Sequence, residues 1–534
     1  MRLQYYFIVV AVSLLVAGCT VGPKYVKRQL KTEPVYAEMT DNETTNPPPK
    51  DWWKTFNDPE LDKLINEALQ QNFDLRMAYT RIREARFQRN IVAADLFPQV
   101  DADAGYGRAR GSKNVILPLG GSGGSGGSAS SHVASSKTSQ TQSTARSVSQ
   151  PSGSQSSGTQ PAGSAGTQGG GQNDSAFDDQ LSPFGKGGLP GVSTDLYQVG
   201  FDANWEIDVF GSKRRQVEAA NADTQAAREE RQRIALTTMA EVARNYFELR
   251  GLQMRLDIAR QNLEAQSNIW ELTRSQARSG LAAEADVVRA RAEVETTSAD
   301  TPPLEQQAKT LMHALAILVG SEPTALSEEL AKGGVLPPKP PMVSVGLPSQ
   351  LLERRPDIRE AERQVAAANA RIGSAKADLF PKFALIASTG LDSTSAENLF
   401  SWDSRYFLIS PTVTWRIFDA GRIISNIRLQ QALTDEADLQ YQYTLLQALQ
   451  EVEDALVNYA GEQEHLDRLA AASKQDEITL DLARQRYEHG LVSFLEVLDA
   501  ERTELSAQDQ VAQSTATSTV DLVALYKALG GGWK

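Results

Sequence analysis

The sequence predicts a membrane α+β protein, internally duplicated, with four β-strands and several long α-helices in each chain. Three observations predict it. Sequence landmarks recur at a fixed spacing of 210 residues: Trp205, Ile207 and Gly211 return as Trp415, Ile417 and Gly421, and Leu272, Gly280 and Val287 as Leu482, Gly490 and Val497. Two stretches of 68 residues, Ser212–Ser279 and Arg422–His489, contain no proline and one glycine each, Gly251 and Gly461. Short segments ahead of those stretches alternate apolar and polar residues. An unbroken register of this length means two copies of one structural unit.

The first 19 residues set the compartment. Arg2 precedes a short apolar core, Tyr5 to Val16, and Val16-Ala17-Gly18 leads into Cys19, the single cysteine in the chain. The run is too short for a comfortable membrane span and has no stop-transfer pattern, so it reads as a secretion signal over residues 1–18. Small residues before a cysteine resemble the lipobox of bacterial lipoproteins, which implies a covalent lipid on Cys19. Thr20, where an aspartate would suggest inner-membrane retention, favours the outer membrane. Without a second cysteine this exported chain is held by no internal disulfide.

The N-terminal segment 19–60 leads into a first repeat, 61–320, whose opening helix is expected from about Leu61 to Leu96. Ala94-Asp95-Leu96-Phe97-Pro98 matches Ala377-Asp378-Leu379-Phe380-Pro381 at a spacing of 283, so the first copy carries 73 residues that the second lacks. They fall in a Gly-, Ser-, Gln- and Thr-rich stretch, assigned as an inserted loop over 109–193. With so few apolar side chains, such a segment cannot offset its ordering entropy. On either side of it Val100, Ala102, Ala104 and Tyr106, and Tyr197, Val199, Phe201, Ala203 and Trp205, alternate with polar residues. Strands with one apolar and one polar face suit a lipid-facing barrel with a wet lumen.

The rod that follows is built from Ala, Gln, Glu, Arg and Leu, good helix formers with apolar residues at helical spacing (Leu236, Met239, Ala243, Phe247). At ~1.5 Å per residue such a helix reaches about 100 Å, enough for an object crossing the periplasm. It turns at Gly280-Leu281, where glycine accepts the left-handed backbone that ends a helix. A linker, 321–348, joins the second repeat, 349–530, which repeats the pattern: a helix from about Pro348 to Leu379, strands around Phe383–Ala387 and Phe407–Trp415, and a rod turning at Gly490-Leu491. Residues 531–534 form a tail. Four strands cannot close a barrel whose smallest versions have about eight, and open edges do not survive in hydrocarbon. The chain therefore oligomerises.

Four motifs in order carry a family resemblance: Cys19-Thr-Val-Gly22-Pro23-Lys-Tyr25, Trp52-Trp53-Lys-Thr-Phe56-Asn-Asp58-Pro59, Trp205-Glu206-Ile207-Asp208-Val209-Phe210-Gly211, and Gly346-Leu347-Pro348 through Arg354-Arg355-Pro356-Asp357-Ile358-Arg359. Together they resemble the lipoprotein (NodT/OprM-like) branch of the TolC-like outer-membrane efflux factors. The resemblance covers the mature chain apart from the insertion. It implies a homotrimer forming a 12-stranded outer-membrane β-barrel continuous with a periplasmic α-helical barrel closed at its tip. It also implies a periplasmic adaptor and an inner-membrane transporter of the RND type as partners.

A duct performs no bond chemistry, so the candidate residues gate and dock. The resemblance points to a periplasmic gate of Tyr487, Leu495, Glu496 and Asp499. The 210-residue offset places Asp286 opposite Glu496 and Arg289 opposite Asp499, which suggests an Arg289–acid contact between neighbouring helices. Gly280, Leu281, Gly490 and Leu491 resemble the family's adaptor-docking tips. Trp52, Trp53 and Arg354–Asp357 are read as structural.

Other classes fit poorly. The formal net charge of −13 without a basic stripe argues against nucleic acid. His132, His313, His465 and His489 have no metal spacing, there is no nucleophile elbow, and Gly185-Lys186 lacks the Ser or Thr of a phosphate loop, so neither an enzyme nor a metal cofactor is expected. A protein-secretion duct and a non-conducting periplasmic strut are the alternatives; the strut leaves the alternating strands without purpose.

Overall fold

The computed structural model describes residues 20–28, 33–39, 43–110, 193–280, 282–333, 336, 343–489 and 491–531. The signal, Cys19, Leu281, Gly490 and all but the edges of the insertion lie outside them. Two compact units emerge: a helical one within Met1–Gln99, Asn204–Leu385 and Pro411–Lys534, and a strand unit within Val100–Ala203 and Ile386–Ser410.

In chain order the strands and α-helices are β1 (Glu43–Thr44), α1 (Pro59–Gln71), α2 (Phe73–Ala94), β2 (Gln99–Arg110), β3 (Ser193–Ile207), α3 (Ser212–Arg278), α4 (Glu284–Leu318), α5 (Ser327–Leu330), β4 (Val343–Ser344), α6 (Pro348–Arg354), α7 (Pro356–Ala377), β5 (Lys382–Ser393), β6 (Arg405–Thr414), α8 (Arg422–Glu488) and α9 (Phe494–Ala528). The duplication is exact in length: α3 and α8 have 67 residues each, α4 and α9 have 35. Its smallest details repeat as well. The Trp205 indole N–H donates to the Leu96 carbonyl at 3.0 Å, and its twin Trp415 donates to Leu379, the twin of Leu96, at 3.1 Å.

Several sequence expectations need correction. The single helix from Leu61 to Leu96 is two, because Asn72 leaves helical geometry (φ −54°, ψ 132°) and its side chain caps α2 through the amides of Asp74 and Leu75. The helix from Pro348 to Leu379 likewise breaks at Arg355, which the following Pro356 forces into extended backbone. Ala109, Arg110 and Ser193, assigned to the insertion, belong to strands, and Trp415 lies just past the end of β6. The short parallel pairing of β1 with β4 had no sequence signal.

The helical unit is held by an aromatic and ionic belt. Trp52, fully buried, stacks on Tyr526 with ring centres 5.5 Å apart, and Phe56 packs on Phe247 at 4.7 Å. Two buried arginines tie distant segments together. Arg250 donates to Gln253, to the Lys332 carbonyl and to Glu60, and lies over the Tyr246 ring. Arg355 reaches Asp357 at 2.6 Å, Glu451 at 2.7 Å and the Ala528 carbonyl at 3.0 Å. That placement explains the Arg-Arg-Pro-Asp run: it joins α7, α8 and the end of α9. Where α3 meets α7, small residues (Ala222, Ala366, Ala367) let the helices approach, flanked by ion pairs Arg359–Glu229 at 2.7 Å, Arg371–Asp223 at 2.7 Å and Arg233–Glu360 at 3.2 Å.

The N-terminal segment is strapped to this unit. The Val21 amide donates to the Phe210 carbonyl, Arg215 donates to the carbonyls of Val21 and Gly22, and Glu453 accepts the amides of Ala37 and Glu38.

The main sheet has the order β2-β3-β5-β6, so β2 and β6 are its edges. Val100, Tyr106, Phe201, Phe407 and Ile409 are all exposed in the chain, as expected of residues destined for lipid rather than a protein core. Among the described residues no helix is long and apolar enough to cross a membrane.

The twin glycines differ in surroundings. A Cβ on Gly251 would lie 2.4 Å from the Ala516 Cβ, so α3 and α9 touch backbone to side chain there; a Cβ on Gly461 meets nothing within 4 Å. Gly251→Ala should therefore destabilise by about 1–3 kcal/mol through overpacking, whereas Gly461→Ala should stabilise by up to ~1 kcal/mol through helix propensity. Thermal unfolding of the two variants checks the opposite signs.

Candidate gate at the helix tips

The first hairpin turns at Gly280, whose φ of +76° is the left-handed conformation that ends α3, and re-enters helix at Glu284. In the second hairpin the Leu491 amide donates back to the Arg486 carbonyl at 2.9 Å, its side chain is exposed, and α9 begins at Phe494. Of the four docking-tip residues expected, Leu281 and Gly490 lie outside the described residues.

The two tips share a small core. Ala290, Phe494 and Leu498 are buried together, with Ile269, Trp270 and Tyr487 packed around them. Tyr487 sits edge-tilted against Phe494 at 5.6 Å, and its hydroxyl donates to Gln276 Oε1 at 3.0 Å, binding α8 to α3. Burial and, secondly, the negative charge of Asp286 push the Tyr487 phenol above its ordinary pKa, so it stays a donor at neutral pH. Arg289 lies 3.5 Å from Asp286, one turn away on the same helix. Within one chain the acid beside Arg289 is Asp286 on its own helix. Leu495, Glu496 and Asp499 are exposed, their side chains left to solvent within one chain while Val497 and Leu498 face inward.

Sequence reasoning missed the layer above this core. Glu501 is 2% exposed, its Oε1 lies 3.6 Å from Arg484, and its Oε2 has no hydrogen-bond partner. Beside it Glu293 takes a 2.8 Å hydrogen bond from Arg502 Nε, and Glu504 accepts from Gln508. The trace in the sequence is a broken symmetry: Arg484 repeats Arg274, but Arg274 lies over the Trp270 ring whereas Arg484 turns to Glu501, whose own twin is Arg291. Among the described residues no cluster of His, Cys, Asp and Glu is placed to hold a metal ion.

Further along, α4 runs through Pro302 and Pro303 without ending. A cavity of about 660 Å³ opens there between α3, α4 and α9, lined by Gly251, Leu252, Arg255, Pro303, Gln307 and Ala516 among others.

Burial is the largest influence on Glu501 and raises its pKa; Arg484 opposes this, and Glu293 and Glu504 add to it. A carboxyl raised on folding costs stability where it is ionised, and that cost disappears once pH falls below the unfolded value of about 4.3. Glu501→Gln should accordingly raise the melting midpoint at pH 8, with an advantage that shrinks steadily toward pH 4. Melting curves across that range check the slope.

The model of the family described as outer membrane efflux protein matches residues 64–145, 162–321 and 347–531. The toluene efflux pump outer membrane protein TtgF of Pseudomonas putida is 29% identical over 99% of this chain and 98% of its own. The pyoverdine export outer membrane protein OpmQ, also of Pseudomonas putida, is 30% identical over 91% of this chain and 89% of its own. Among solved structures the outer-membrane channel OprN matches with a TM-score of 0.78 at 32% identity, covering 96% of this chain and 100% of that one. Duplicated rods, a four-stranded sheet with open edges and a shared tip core thus meet in one lineage: the chain belongs to the outer membrane efflux protein family, and three copies of it form the outer-membrane exit duct of an efflux pump that works with an adaptor and an inner-membrane transporter.

Proposed function

We propose that the tip core of the two hairpins is the duct's gate, and that Tyr487 is its latch. The observation that carries this reading is the Tyr487–Gln276 hydrogen bond, which joins α8 to α3 directly at the tips. That bond adds to two other ties between the hairpins, the apolar cluster of Ala290, Phe494 and Leu498 and the Arg502–Glu293 ion pair, so its loss loosens the closed tip without dissolving it. Asp286 and Arg289 supply a charged pair beside the latch. Leu495, Glu496 and Asp499 of three copies converge on the axis, so an apolar ring narrows the aperture and the acid rings favour cations over anions.

Gly280, Leu281, Gly490 and Leu491 form the surfaces that an adaptor grips. The resemblance in the sequence supports a transporter of the RND type behind that adaptor. Cargo is small and chemically mixed: relatives are named for toluene efflux and for pyoverdine export, which share little chemistry, so selection belongs to the transporter and the duct is permissive. Cys19 carries the lipid that anchors the N-terminus, consistent with the strap that fixes the residues after it. The lipobox before Cys19 and the Arg354-Arg355-Pro356-Asp357-Ile358-Arg359 run favour small-molecule efflux over a protein-secretion duct.

A neutral hydrogen bond contributes roughly 1 kcal/mol, about a fivefold change in an equilibrium. Tyr487→Phe should therefore raise the open-channel frequency in planar bilayers about fivefold, and Gln276→Ala should match it. Both variants keep the phenyl packing of Tyr487 or leave it untouched, so unchanged openings in both would remove the latch. Intact-protein mass spectrometry of the wild type and Cys19→Ala checks the lipid: the mass of the acyl groups should vanish in the variant.

A further inference from the structure

The cavity between α3, α4 and α9 is lined in a way that fixes where it opens. On α4 it is bordered by Gln306, Gln307 and Thr310, and on α9 by Ala516, Thr517 and Val520, their twins at the 210-residue offset. The same face of both copies therefore meets the same space. In a ring of repeated helices, a face shared in this way points along the radius, inward or outward. The floor helix α3 decides between the two. Its Tyr246, Arg250 and Gln253 hold Asp58 and the carbonyls of Lys332 and Leu330. Those connecting segments cover one side of the rod, and a duct stays open only if that side is the outer one. Glu248, Leu252 and Arg255, which border the cavity, lie roughly half a helical turn away from them at ~3.6 residues per turn. The cavity thus opens into the lumen.

Its chemistry selects a kind of occupant. The charges at its ends are already paired: Arg255 gives Asp509 two hydrogen bonds, at 2.6 and 3.0 Å, and Glu248 accepts one from Arg244 at 2.8 Å. Between them the floor is apolar, with Leu252, Leu311, Ala516 and Val520. Along the rim the side-chain amides of Gln306, Gln307 and Gln513 have no hydrogen-bond partner among the described residues. Each amide offers both donors and an acceptor. The volume, about 660 Å³, is that of a site for a drug-sized molecule.

We propose that this cavity is a resting site for cargo on the inner wall of the duct, one in each chain, and that it takes uncharged amphipathic molecules with an aromatic or alicyclic body. The body lies on the apolar floor and its polar groups meet the three glutamine amides. An ionised molecule finds no unpaired counter-charge there and gives up hydration without return. Gln306 lies roughly 30 Å along α4 from the helix start at Glu284, at ~1.5 Å per residue, so cargo reaches the site only after passing the tip.

The test uses the full-length trimer in lipid nanodiscs, carrying Gln307→Cys or, separately, Gln513→Cys. Alkylation by N-ethylmaleimide is followed by mass spectrometry on the peptide that holds the new thiol. N-phenyl-1-naphthylamine, an uncharged aromatic amine, should slow the reaction at both positions in a saturable way, by about tenfold at ~10 times its Kd. Its sulfonated relative, 8-anilinonaphthalene-1-sulfonate, should leave the rate within about twofold at the same concentration. Lys309→Cys, on α4 but outside the cavity lining, should react equally fast with and without either probe. Reporters on two facing helices give a second reading if one variant fails to fold. The proposal is overturned if neither thiol is protected in an intact trimer, if the sulfonate protects as well as the amine, if Lys309→Cys is protected alike, or if both thiols resist the maleimide with no probe present.

Discussion

Everything in this molecule follows from backbone groups that one chain leaves unpaired. Strands β2 and β6 end the sheet with a row of amides and carbonyls on each side. In water such edges are tolerable; in hydrocarbon each unsatisfied group costs several kcal/mol. Closure by identical neighbours is then a condition for residence in the membrane rather than an added layer of organisation. The helices obey the same incompleteness by other means: α2 and α8 hold large apolar residues out to solvent where their twins are buried. Duplication followed by trimerisation thus repeats one local contact around a ring.

The tip shows how little holds a long hairpin. Each 67-residue rod packs along its length on neighbours, yet at the end a handful of side chains close the contact: Tyr487, Trp270, Phe494, Ala290 and Leu498. Behind them a buried carboxyl, Glu501, retains an oxygen without a partner. An unsatisfied buried polar atom is expensive and adds nothing to a rigid plug. The belt carries such atoms too, at the indole nitrogens of Trp52 and Trp53 and at Arg250 Nε, but there stacked rings and the remaining Arg250 hydrogen bonds surround them.

Much of this is legible in the sequence itself. The rods were visible because proline is absent, glycine appears once, and the 210-residue register runs unbroken through them. The strands were visible because alternation survives even in short segments. Breaks at Asn72 and Arg355 were harder, since an asparagine inside an apolar-periodic run carries no warning until its side chain is seen capping the next helix. The repeat offset marks Arg289 as a charged tip residue but does not name its partner, and within one chain Asp286 on the same helix is the acid beside it. Glu501 leaves only the broken repeat with Arg291 as its trace, because in a sequence rich in surface acids nothing else separates those that helix phase turns inward, Glu293 and Glu504 among them.

The proline pair in α4 gives this layout a mechanical consequence. Pro302 and Pro303 bring no amide hydrogens, so the carbonyls one turn earlier lack their helical donors. Beside them lies the cavity that Leu252, Gln307 and Leu311 line. Stiffness therefore falls locally, between the firmly packed belt and the tip. A load applied at the tip is therefore carried more by α3, whose 67 residues contain no proline, than by the return helix α4.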